Sequence, residues 1–109
     1  MAAKDKIGMS IVVSTFSDMD TAKDISRNVI QEELAACASI MQVSSIYMWK
    51  KSIEDTSEFM VFYKTATENV NRLTRHLEEH HPYDTPEIVQ IPVQSANKSY
   101  MQWLFDVTH

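Results

Sequence analysis

Phe59-Met60-Val61-Phe62-Tyr63 is apolar at every position, and its reading decides the fold. A sheet strand with one wet face alternates apolar and polar residues. This run does not alternate, so both of its faces require cover. Upstream, Ala38 to Trp49 also favours strand, and Ile46-Tyr47-Met48-Trp49 is almost as apolar. The polar stretch from Lys50 to Ser57 between them should hold the turn of a hairpin.

Outward from that hairpin the chain alternates helix and strand. Thr65-x-x-Glu68 has the spacing of a capping box, and Val70, Leu73 and Leu77 follow at helical intervals. On the other side, Ser17-x-x-Asp20 reads as a helix start, with Ala22, Ile25 and Val29 behind it and the pattern reaching Leu34-Ala35-Ala36. Ile11-Val12-Val13 is a short β-branched strand before that helix. His81-Pro82-Tyr83-Asp84-Thr85-Pro86 must be a loop, because its prolines disfavour both helix and ladder. Ile88 to Val93 is a fourth strand, with Pro92 marking an edge or an end. Ser95 to Val107 forms a last helix carrying Tyr100, Trp103, Leu104 and Val107.

The order is β-α-β-β-α-β with an extra C-terminal helix. This is a ferredoxin-like α/β (α+β) arrangement on one antiparallel sheet, with residues 1–109 as a single domain. Two helices cover one face of such a sheet, and one terminal helix cannot cover the other. A large apolar face left open marks an interface, so the sequence calls for self-association.

Composition removes several functions. The chain has 109 residues and net charge −5, with 15 acidic against 10 basic residues and no basic patch, which argues against a nucleic-acid partner. No window has the apolar length of a membrane span. Met1 to Lys6 has no apolar core for a secretory signal, so a cytoplasmic location is expected. Cys37 is the single cysteine, which rules out an intrachain disulfide, and the single glycine rules out a glycine-rich phosphate loop. No nucleophile–base arrangement is recognisable, so the protein is not expected to be an enzyme.

The candidate metal ligands are Cys37, His76 and His80. A Cys37 thiolate would suit a soft metal such as Cu(I), although a free cysteine also serves as a small buried hydrophobe. His76 and His80 stand four apart on a helix, a spacing that can hold two ligands on one side. The same histidines also suit a helix C-terminus electrostatically. Met41, Met48 and Met60 offer thioethers, or simply fill core gaps.

Several motifs occur together in order: Leu34-Ala35-Ala36-Cys37, Ser45-x-Tyr47-x-Trp49, Lys64-Thr65, His81-Pro82-Tyr83-x-Thr85-Pro86-Glu87-Ile88 and Tyr100-x-x-Trp103. In this the chain resembles the CutA (divalent-cation tolerance) family from about Ile11 to Val107. The resemblance implies a PII-like homotrimer with no established enzymatic activity and no obligatory cofactor. Its implied partners are other copies of itself and divalent metal ions, copper first. It also implies a ligand-binding cleft drawn from Trp49, Glu58, Lys64, His81, Tyr83 and Glu87. The alternative is a PII-like signalling trimer that binds a small anionic ligand in inter-subunit clefts, using Lys64 and the 81–87 loop. Two departures stand out. Lys51 occupies a place two residues after the tryptophan where the family usually has glycine, and Ser39 and Met41 stand where members often carry Asn and Pro.

Overall fold

The computed structural model describes residues 8–108, so the reading of Met1 to Lys6 lies outside the described residues. Strand β1 (Met9–Phe16) leads to helix α1 (Met19–Gln31). Strands β2 (Cys37–Trp49) and β3 (Ser52–Ala66) form a long hairpin. A short 3₁₀ turn (Thr67–Asn69) enters α2 (Val70–His80), followed by β4 (Val89–Pro92) and α3 (Lys98–Val107). The sheet order is β2-β3-β1-β4 and every pairing is antiparallel. This is the ferredoxin-like arrangement that the hydrophobic pattern requires. The short β4 lies at the sheet edge and ends on Pro92, where the missing N–H does no harm.

Two-residue periodicity sets the faces. Val12 pairs with Tyr63, Ser14 with Val61 and Phe16 with Phe59. These residues face α1 and α2, which contribute Ala22, Val29, Leu73 and Leu77 to one buried core. Tyr63 is fully buried, and its hydroxyl lies 3.1 Å from Ser26 Oγ. Burial pushes the Tyr63 phenol up to about 12. On the other face a smaller cluster joins Met9 and Ala66 to Leu104 of α3. Helix α3 covers only that end, and Met41, Val89 and Ile91 remain exposed.

The element boundaries correct the sequence in four places. Helix α1 is capped by Asp18 rather than Ser17: Thr21 N–H donates to Asp18 Oδ1 at 2.8 Å, which holds that carboxyl below its ordinary value. The helix ends at Gln31, well before Ala36. Glu33 N–H reaches Ile30 O and Leu34 N–H reaches Val29 O, the paired bonds of a Schellman end, with Glu33 at φ 59°. Thr65 is a strand residue and not a helix cap; its buried hydroxyl donates to Leu34 O at 2.7 Å.

The fourth correction concerns the hairpin. The turn is Lys50-Lys51 alone, and pairing runs unbroken from Cys37↔Lys64 to Trp49↔Ser52. Both lysines have positive φ, 49° and 68°, as a two-residue primed turn demands. Lys51 therefore keeps the backbone that glycine would adopt freely, at a cost of roughly 1 kcal/mol. Glycine would also loosen the unfolded chain. Lys51→Gly should still gain up to about 0.5 kcal/mol, a rise in melting temperature of up to about 4 °C. A thermal melt in which the variant is less stable than wild type by the full unfolded-state cost of a glycine, about 0.4–1 kcal/mol, would show that the lysine turn carries no strain.

Candidate functional site

The outer half of the hairpin and the loop after α2 form the walls of a cleft of about 370 Å³. Glu54, Glu58, Tyr47 and Trp49 come from the hairpin, and Tyr83, Asp84 and Glu87 from the loop. The strand period explains the first group: Tyr47 pairs with Glu54 and Trp49 with Ser52, so Tyr47, Trp49, Glu54 and Glu58 share the face turned away from α1 and α2.

The loop is tied down by His81. Its ring stacks on Phe16, with centroids 4.5 Å apart and planes 12° apart. Its Nε2 lies 2.9 Å from Thr15 O, and Tyr83 N–H donates to Nδ1 at 3.1 Å. A carbonyl can only accept and an amide N–H can only donate. The ring is therefore neutral with its proton on Nε2. Burial also lowers the His81 pKa, against the opposing pull of the Thr15 carbonyl and Glu58. Tyr83 next reaches across to β3, where its hydroxyl donates to Glu58 Oε2 at 2.8 Å. Burial first, and the adjacent carboxylate second, raise the Tyr83 pKa well above its usual value, so it stays a donor. Glu58 is 8% exposed.

The six expected cleft residues are thus only partly assembled. Trp49, Glu58, Tyr83 and Glu87 line the cleft, and His81 anchors it from behind. Lys64 does not line it. Lys64 lies opposite Ile11 and Cys37, six residues along β3 from Glu58, or roughly 20 Å at about 3.3 Å per residue. Within one chain the cleft has four carboxylates and no lysine, arginine or histidine among its lining residues. Glu54 and Asp84 are members that the sequence alone did not assign to a ligand cleft.

The candidate metal ligands lie elsewhere. The rings of His76 and His80, on the last turns of α2, stack 4.3 Å apart. His80 Nδ1 is 2.8 Å from His76 O; donating there leaves the lone pair on Nε2. His76 Nε2 is buried and has no hydrogen-bond partner. Burial, and then the neighbouring His80, lower the His76 pKa, while Glu32 and Glu79 oppose the shift. Cys37 is half-buried at the start of β2, its Sγ 3.8 Å from Ser39 Oγ. Among the described residues no group of three or more His, Cys, Asp or Glu side chains could hold a metal ion, so Cys37 does not complete the histidine pair. Met41 and Met60 are cross-strand partners, but Met48 projects from the opposite face of β2.

A four-stranded ferredoxin-like sheet, two helices on one face and one on the end of the other, with a long hairpin beside an acidic, aromatic cleft, defines a small α+β class of protein. Residues 10–107 match the family model of the CutA1 divalent ion tolerance protein, and the chain belongs to that family. It is 38% identical over 101 residues to the human protein CutA, covering 92% of this chain and 56% of that one. It is 34% identical over 100 residues to the divalent-cation tolerance protein CutA of Pyrococcus horikoshii, covering 92% and 98%. The chain spans 66% of the Xenopus laevis homologue and 57% of the mouse protein. Among solved structures, CutA1 from Oryza sativa superposes with TM-score 0.91 at 28% identity, covering 95% of this chain and 96% of that one. CutA1 from Pyrococcus horikoshii gives 0.90 at 32%, covering 92% and 98%. No helix among the described residues is long and apolar enough to cross a membrane.

Proposed function

We propose that this protein is a non-enzymatic homotrimer that serves divalent-cation tolerance by binding copper or another divalent cation at the His76–His80 pair. The observation that carries this reading is the unpartnered, buried His76 Nε2 beside a His80 whose Nδ1 is already engaged. Two imidazoles four residues apart on a helix, neither Nε2 taken by a protein partner, would supply two nitrogens to a borderline metal. With no third protein ligand among the described residues the site is loose, which suits a protein that meets excess metal rather than one that keeps a resident cofactor. Cys37 belongs to the proposal only as a separate thiol for Cu(I). A reducing, cytoplasmic compartment fits that single free thiol.

The signalling alternative, with an anion in the cleft, finds no support within one chain, because the anion would meet four carboxylates. Assembly is supported by what one chain leaves in water. Ile46, Met48 and Ile53 near the hairpin tip are 71%, 65% and 71% exposed, more apolar surface in one place than a lone soluble chain usually shows.

Calorimetric titration with Cu(II) tests the metal site. His76→Ala/His80→Ala should weaken binding at least tenfold, about 1.4 kcal/mol. Equal heats for the two proteins would remove the helix pair as the site. An absence of heat from wild type would remove copper binding altogether.

A further inference from the structure

We infer that the cleft between the hairpin tip and the 81–87 loop is a receptor for a primary ammonium group, as carried by a small diamine or by a lysine side chain. The inference goes beyond the copper reading and does not depend on it, since the histidine pair takes no part in the cleft.

One of the cleft carboxylates is largely buried, and no cationic side chain lines the cleft beside it. Glu58 is more than nine-tenths buried and lines the cleft. Tyr83 satisfies Oε2 with a neutral hydroxyl, and Oε1 is not among the buried atoms left without a partner, so it keeps access to solvent. Oε1 can therefore accept from an N–H donor that enters the cleft.

The remaining carboxylates, Glu54, Asp84 and Glu87, set the sign of the ligand. A bare metal ion suits the cleft poorly, because no three acidic groups there stand close enough to hold one. The aromatic rings of Tyr47, Trp49 and Tyr83 line the same space. Aromatic faces attract ammonium groups, and carboxylates accept their three N–H donors. The Trp49 ring already has Lys50 Nζ 5.9 Å from its centroid. A volume of about 370 Å³ falls in the range of small-molecule sites and is too roomy for one ion.

The ammonium has two possible sources. One is a free diamine. The other is Lys64 of a second copy, since Lys64 of the same chain stands too far along β3 to fill its own cleft.

Titration calorimetry of the full chain with putrescine distinguishes them. Saturable binding by wild type, weakened at least tenfold in Glu58→Gln, assigns the cleft to the free amine. Glutamine keeps the acceptor for Tyr83, so the loop should remain in place. If Glu58→Gln does not fold, Glu87→Gln at the exposed rim should give a smaller loss in the same direction. Binding that appears only in Lys64→Gln, and is lost when Glu58→Gln is added, assigns the resident ammonium to the second copy. Absence of binding in both wild type and Lys64→Gln, or equal affinity with and without Glu58→Gln, overturns the inference.

Discussion

With Ile46 and Ile53 both replaced by aspartate, the protein should sediment as a single chain of 12.6 kDa, where the proposed wild-type trimer should sediment at about three times that mass. Both side chains are 71% exposed, and they project on the helix side of the hairpin beyond the point where α1 and α2 cover it. Burying an aliphatic side chain of this size is worth about 1.5–3 kcal/mol, and each chain of a trimer would bury its own set. A carboxylate forced into the same contact loses that gain and adds a desolvation cost of several kcal/mol. The sheet of each chain has its own core beneath α1 and α2, so the variant should keep the circular dichroism of the folded protein. A double variant that retains the wild-type mass at micromolar concentration would show that the hairpin tip takes no part in assembly. A wild-type monomer would contradict the homotrimer itself.

Phe16→Ala should cost about 3–5 kcal/mol in urea unfolding, a large part of the 5–15 kcal/mol that holds a domain folded. Phe16 has no exposed surface, and it lies in the main core at the end of β1. It is also the platform for the His81 ring. The variant therefore leaves a cavity and removes one side of the loop anchor together. Hydrogen exchange at the Tyr83 amide, which donates to His81 Nδ1, should accelerate beyond what the global loss explains. A cost under about 1 kcal/mol with unchanged Tyr83 protection would mean that the loop is held by the Glu58 contact alone.

The fold was legible because its strongest signals are periodic. The unbroken apolar run at 59–63 could only be a strand wanted on both faces, and Val70, Leu73 and Leu77 could only be one stripe of a helix. The ends of elements were less legible. Lys50-Lys51 carries no turn signature, yet cross-strand pairing on both sides forces it into the positive-φ region. The polar residues 52–57 thus read as loop when they are strand. That error hid Glu54, which follows from Glu58 and the two-residue period once β3 is extended backwards. Ser17 and Asp18 are both good caps, and only the chain direction after β1 selects Asp18. Tyr83, Trp49, Glu58 and Glu87 could be named from motif resemblance. The separation of Lys64 from Glu58 follows from their six-residue spacing once both are placed on one unbroken strand.

Copper at the proposed site would be bound by the two imidazoles of α2, His76 and His80. Electron paramagnetic resonance of the protein with one equivalent of Cu(II) per chain reads the ligands directly. The expected spectrum carries superhyperfine splitting from two nitrogens, which disappears in His76→Ala/His80→Ala. A spectrum of oxygen ligands alone, or one unchanged by removing both histidines, would contradict it.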